Sequence, residues 1–297
     1  MQPPPAPQPL SDAWAQQAGW SKAANRQKAL IGRIRVGVLL CGVLAAVLGT
    51  AAAEIGGSHP SAGQWTAFAA AVAAGAVPLL NGRVGRRQIQ DWTRLRSVSE
   101  AYKAEVYSCL AGVGAYRSPD AAARLQCAVN GIRTEAADLL PHVAGIPVDA
   151  ARPLPAVGDV DSYVRIRLQG QIDGYYRPKA TLMHRRLVVV RRAEMVLGCL
   201  GVLLAAGSGA FRAEQAAAWV AVVATVSATL LAYATAAKYE YQELEFLRTA
   251  DELERLLSGW QLGGDRSPQA EDALVDRCEH VISVLNDTWM IKWTSEA

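Results

Sequence analysis

Residues 36–53 read Val36-Gly37-Val38-Leu39-Leu40-Cys41-Gly42-Val43-Leu44-Ala45-Ala46-Val47-Leu48-Gly49-Thr50-Ala51-Ala52-Ala53, a run without a charged side chain. A helix needs about 20 apolar residues to cross the hydrocarbon layer, within a usual range of roughly 17–25. This run is therefore marginal alone, and interfacial flanks or local bilayer thinning extend its reach. Its Gly42-Val43-Leu44 returns as Gly201-Val202-Leu203 in a second charge-free run, Met195 to Ala210. Each glycine opens a Gly-xxx-Ala spacing, to Ala46 and to Ala205, which lets helices approach closely.

The echo extends along the chain. Trp65 begins a further apolar stretch, to Leu80, and Trp219 lies near the start of its partner, Ala216 to Ala237. Leu95-Arg96-Ser97-Val98-Ser99-Glu100 is mirrored by Leu247-Arg248-Thr249-Ala250-Asp251-Glu252, and Arg117-Ser118-Pro119 by Arg266-Ser267-Pro268. The matches keep their order while the offset shrinks, as in a duplicated unit with different loop lengths. The expected organisation is a Pro-rich disordered leader (1–13), a first two-span unit (14–141), a Pro-rich linker (142–158) and a second two-span unit (159–297).

Apolar residues make up 51% of the chain and charged ones 19%, so part of it suits a membrane and part suits water. A soluble bundle with buried helices is the competing reading, and flanking charge decides against it. Lys22, Arg26, Lys28, Arg33 and Arg35 precede the first span, and Arg83, Arg86, Arg87, Arg94 and Arg96 follow the second. The intervening residues 54–64 hold no lysine or arginine. In the second copy Arg177, Lys179, Arg185, Arg186, Arg191 and Arg192 stand before the third span and Lys238 after the fourth, with only Arg212 between. The positive-inside rule then places both termini in the cytoplasm. The five scattered cysteines, with no CxxC, fit small buried hydrophobes in a reducing compartment. No signal peptide is expected.

Outside the spans, steps of three and four mark helix seams. One runs through Trp92, Leu95, Ser99, Tyr102, Val106, Cys109 and Val113, another through Phe246, Ala250, Leu253, Leu257 and Trp260. After each Arg-Ser-Pro, where Ser118 or Ser267 is placed to cap a helix ahead of a first-turn proline, come Leu125, Val129, Ile132 and Ala136, and Leu274, Cys278, Val281 and Leu285. The fold class is thus an all-α membrane protein: four transmembrane helices as two hairpins, with long amphipathic helices in a cytoplasmic bundle of pseudo-two-fold symmetry. These seams suit pairing either within one chain or between subunits.

Before the third span Tyr163, Arg167, Gln171, Tyr175 and Lys179 follow one another every four residues, with a looser counterpart in Trp14, Gln17, Trp20 and Lys22. Such a row suits a collar at the membrane surface or a ligand-binding stripe. A Tyr/Trp-rich juxtamembrane helix with Arg and Gln, a two-span hairpin and a long cytoplasmic helix together resemble the SLATT family, the SMODS and SLOG-associating two-transmembrane effector domains, here as two units in tandem. The resemblance implies a bacterial inner-membrane effector that forms pores or perturbs the membrane in conflict systems triggered by nucleotide signals. This chain departs from the simplest pattern in having two units and no fused sensor or nucleotide-generating domain.

Catalytic signatures are missing: no GxxxxGK[ST], GxSxG or HExxH occurs, and His59, His142, His184 and His280 are dispersed. Neither an enzyme nor a cofactor, bound metal, DNA or RNA is expected. In the fourth span Thr225, Thr229 and Tyr233 share a face, suited to interhelical hydrogen bonding or to lining a pore. Arg83, Arg86, Arg87, Arg185, Arg186, Arg191 and Arg192 suit anionic lipid; that they contact a nucleotide second messenger is the sharper alternative, which only the family resemblance implies. Two functional classes follow: a homo-oligomeric pore-forming or membrane-perturbing effector, and a membrane-anchored scaffold that recruits a cytoplasmic protein partner.

Overall fold

The computed structural model describes residues 8–149, 151–211 and 214–295; the side chains of 211, 214, 215 and 284–295 are outside that description. Every regular element among the described residues is helical. The long helices are α1 (Gln8–Gly56), α2 (Pro60–Asn81), α3 (Arg86–Ala111) and α4 (Ala121–Glu135), followed by the short α5 (Leu140–Val143), α6 (Val160–Tyr163) and α7 (Gln169–Gln171). Then come α8 (Arg177–Phe211), α9 (Glu214–Ala237), α10 (Tyr239–Leu262) and α11 (Pro268–Ser295).

Local chemistry sets many of these boundaries. No proline interrupts the chain between Pro9 and Pro60, and α1 runs for 49 residues until Gly56-Gly57. Pro60 then occupies the first turn of α2, where its missing N–H costs nothing. Helix α3 ends at Ala111 because Gly112 takes φ +66°. The Gly112 N–H donates to the Cys109 carbonyl at 3.2 Å and that of Val113 to Ser108 at 3.2 Å, the paired bonds of a Schellman cap. The helix thus stops short of Arg117-Ser118-Pro119.

The two Arg-Ser-Pro turns differ. Ser267 accepts from the Ala270 N–H at 3.3 Å and caps α11 as expected. Ser118 instead closes a 3-10 turn, Gly114–Arg117, its hydroxyl donating to the Ala115 carbonyl, and α4 begins only at Ala121 behind Asp120. Arg117 is drawn away to the start of α11, bonding the Pro268 carbonyl, Glu271 and Asp272. Its counterpart Arg266 stacks on Trp260, with Cζ 3.8 Å from the ring centre.

The chain divides into two compact units, each built from both halves of the sequence. The first comprises Met1–Ala29, Arg86–Ala180 and Leu244–Ala297. Here α3 packs on α4 and α11, so these seams pair within one chain. Leu95, Ser99, Tyr102, Val106, Leu125, Leu253 and Cys278 are fully enclosed. Cys109, Ile132, Leu257 and Val281 are half-buried, and Leu285 lies outside the described side chains. From Gln8 onward the expected leader is helical rather than disordered, because Leu10 and Ala13 find apolar cover in this unit. The Pro-rich segment is also docked: Trp14 Nε1 donates to the Pro153 carbonyl at 3.0 Å, and the Arg152 guanidinium lies 3.8 Å from the Trp14 ring centre.

The second unit comprises Leu30–Gly85 and Thr181–Glu243. Its surface is apolar in a way water does not tolerate: Trp65 is 74% exposed and Leu79 73%, with Phe68, Val202 and Leu203 similarly bare. Among the described residues, three stretches have the length and composition to cross a membrane, in Gln8–Gly56, Pro60–Asn81 and Ala216–Leu262. The Met195–Ala210 run forms the end of α8.

Candidate functional site

In the second unit, two sets of residues meet. A Cβ placed on Gly42 would lie 2.9 Å from the Thr229 methyl and 3.3 Å from its hydroxyl. The small-residue motif of α1 and the polar row of α9 are therefore one interface, read separately in the sequence. Gly201 faces Val223 at an ordinary contact distance, 3.5 Å; Ala46 is half-buried and Ala205 exposed. The hydroxyls stay within their own helix, Thr225 donating to the Ala221 carbonyl at 2.9 Å and Thr229 to Thr225 at 2.8 Å. Tyr233 leaves the row to meet the Tyr239 hydroxyl at 3.0 Å. Thr225 stays exposed.

The seven arginines of the basic clusters are all exposed. Arg191 reaches Glu240 at 3.4 Å, and Arg186 lies 5.9 Å from the Tyr239 ring centre.

The more enclosed chemistry lies in the first unit, around the stripe Tyr163, Arg167, Gln171, Tyr175 and Lys179. In an α-helix a spacing of four drifts about 40° per step. Here wide π-helical turns, Val164–Leu168 and Ile172–Tyr176, alternate with α-helical ones and offset the drift, keeping the row on one side.

The row descends into the interior. Arg167 is 2% exposed and Tyr163 fully buried. Arg167 grips Glu279 through Nε to Oε1 at 2.9 Å and Nη2 to Oε2 at 2.7 Å, while the Tyr163 hydroxyl donates to the same Oε1 at 2.9 Å. Glu100 stands 3.7 Å from Arg167 and also pairs with Arg96 at 2.8 Å and Lys103 at 2.9 Å. The Tyr107 ring covers the guanidinium, with 4.7 Å from Cζ to its centre. Burial raises the Glu100 carboxyl, but Arg96, then Lys103 and Arg167, outweigh it and hold it down to about 2. Burial followed by Glu279 pushes Cys278 up to about 12, so this thiol stays protonated. For Arg167 burial acts downward, and the Glu279 charge and hydrogen bonds override it, raising its pKa well above the usual value.

Beyond this pair the stripe opens onto a cavity of about 310 Å³, walled by Gln171, Tyr175 and Lys179 together with Trp92, Arg96 and Glu100. The looser row near the start of the chain is structural: Trp14, Gln17 and Trp20 are buried, Lys22 is exposed, and Gln17 Nε2 donates to the Ser99 hydroxyl at 2.9 Å.

The sequence pattern does not single out Glu279, and Glu100 enters it only as the end of the mirrored run from Leu95. The signal was present, since each directly follows a seam residue, Ser99 or Cys278, and an arginine between tyrosines in a packed row needs a carboxylate. No group of His, Cys, Asp and Glu suited to a metal occurs among the described residues.

The Tyr163 at the head of the stripe is also where a known family begins. Residues 163–289 match the SMODS and SLOG-associating 2TM effector domain 1, SLATT_1. That segment is a SLATT domain. It takes in the stripe, α8, α9, α10 and most of α11, including Arg167 and its partner Glu279. Residues 18–124 match a protein family of unknown function, DUF4231, which covers most of α1, all of α2 and α3 and the start of α4. The two halves thus match different family models over comparable runs of helices. No curated protein and no solved structure matches the chain. Within the matched segment the Arg167–Glu279 clasp ties the stripe helix to α11.

Proposed function

We propose that this protein is a bacterial membrane effector that perturbs the bilayer as a homo-oligomer, with its helical first unit acting as the gate. In this reading two SLATT-like units stand in tandem, Met195–Ala210 supplies a fourth crossing, and both termini lie in the cytoplasm beneath the inner membrane. The observation that carries it is the exposed Thr225, on the Thr229 face of an apolar helix whose unit also exposes leucine, valine and aromatic side chains. A hydroxyl exposed at membrane depth favours a neighbouring helix or a water-filled path over lipid tails. Four helices enclose little space, so a path of useful width calls for several chains. Helix α1 supplies residues to both units. The proposal contains no enzymatic step, and the exposed arginine clusters serve anionic lipid.

The intrahelical bonding of Thr225 and Thr229 favours a second reading, a membrane-anchored scaffold that recruits a cytoplasmic protein. Expression in bacteria with a potential-sensitive dye, alongside dye release from liposomes holding the purified protein, separates the two. The effector depolarises cells and leaks dye, and Thr225→Leu reduces both. A protein that leaves potential intact under every trigger, while co-purifying a stable partner, is the scaffold.

A further inference from the structure

The first unit contains a cavity whose chemistry its packing does not require. It measures about 310 Å³, at the lower end of the range for small-molecule sites, roughly 300–1,000 Å³. Three cations, Lys28, Arg96 and Lys179, line it against one carboxylate, Glu100. That carboxylate is already engaged by Arg96 at 2.8 Å and by Lys103 at 2.9 Å, so the wall presents net positive charge to anything entering. Its aromatic surfaces sit among those cations: Lys28 Nζ is 5.4 Å from the Trp92 ring centre, and Arg96 Cζ and Lys179 Nζ are 5.6 Å and 5.9 Å from that of Tyr175. The Gln171 side-chain amide adds a donor and an acceptor. Glu100 closes the inner end at 5% exposure, whereas Lys28 is exposed, so the cavity has a floor and a mouth.

We propose that this cavity binds a nucleoside phosphate. The phosphate meets Lys28, Lys179 and Arg96, the base lies against Trp92 and Tyr175, and Gln171 reads an edge of the base or a sugar hydroxyl. The rings and the amide argue for a ligand with a planar polar ring, since a lipid headgroup needs the cations alone. The site is separate from the exposed arginine clusters, and its occupancy is independent of whether the spans form a pore.

The test is equilibrium dialysis on the purified full chain in detergent, using the four common ribonucleoside 5′-monophosphates, the matching nucleosides, inorganic phosphate and phosphatidylglycerol bicelles. The expected result is saturable binding of at least one monophosphate. Loss of the charged contacts in Lys28→Gln/Lys179→Gln should weaken it about tenfold or more. Lys28→Arg/Lys179→Arg should retain it, and Lys22→Gln, on the same helix but outside the wall, should bind as the parent does. Melting temperatures of the variants establish that each is folded. Saturation by no monophosphate, equal binding by the glutamine double variant, or binding of phosphatidylglycerol alone overturns the proposal, the last in favour of a lipid site.

Discussion

Arg167 and Glu279 stand 112 residues apart in sequence and form a two-point ion pair, at 2.9 and 2.7 Å, in the interior of the first unit. Both ends are desolvated, with Arg167 2% exposed and Glu279 8%. Two charges taken from water at that depth hold each other through geometry, and neither is tolerated alone. The pair fixes the angular setting of the stripe helix against α11, and the Tyr163 hydroxyl on the same carboxylate leaves it little alternative.

Removing one member should therefore cost more than removing both. Glu279→Ala strands a buried guanidinium and is expected to lose about 3–5 kcal/mol of stability. The apolar double variant Arg167→Met/Glu279→Leu should recover most of that, because Glu100 keeps Arg96 and Lys103. Thermal unfolding in detergent measures both, and equal losses in the single and double variants would sink this account.

The Glu100 carboxyl gives the first unit a defined acid sensitivity. Its pKa is lowered in the folded protein from a usual 4.5 to about 2, so its stabilising contribution is complete above about 4.5 and disappears as pH falls through about 2. Unfolding midpoints followed from pH 6 downward should hold and then decline across that window. Glu100→Gln should be less stable near neutrality and lose that component of the decline.

Gly63 is a point of close approach that the sequence reading passed over. A Cβ there would sit 2.5 Å from the Gly56 Cα and 2.9 Å from its nitrogen, both backbone atoms with no rotamer to yield. Gly63→Ala should destabilise by about 1–3 kcal/mol, as overpacking does. Gly75→Ala, on α2 with nothing within 4 Å, should be neutral or slightly stabilising. Unfolding midpoints of the two variants, compared directly, check the contrast.

Lys238 joins α9 to α10 at φ +50°, in the left-handed region that a side chain disfavours. Lys238→Gly should relieve about 1 kcal/mol of strain and raise the unfolding midpoint. A fall would mean that contacts of the Lys238 side chain outweigh the strain.

Periodicity and charge made the helices legible. The seams through Leu95, Ser99, Tyr102 and Val106, and through Ala250 and Leu253, are buried because steps of three and four place them on one side of an α-helix regardless of partner. The Tyr163–Lys179 stripe was legible as a row. Its entry into the interior was not, because that depends on π turns, which leave no mark in a spacing of four. Similarity between the halves predicted symmetric Arg-Ser-Pro turns, yet Arg117 reaches three groups at the start of α11 while Arg266 stacks on Trp260 and bonds its carbonyl.

The sequence by itself determined what is local: apolar runs of membrane length, flanking charge, helix seams and the Gly-xxx-Ala motifs. Each depends on neighbours a few residues away, which the chain order supplies. Tertiary structure alone decided which distant residues share an environment: Glu279 with Arg167, Thr229 with Gly42, and three cations with two rings around a cavity. Those pairings depend on packing between helices far apart in the chain, and burial then makes an ordinary carboxylate or arginine costly enough to require its partner.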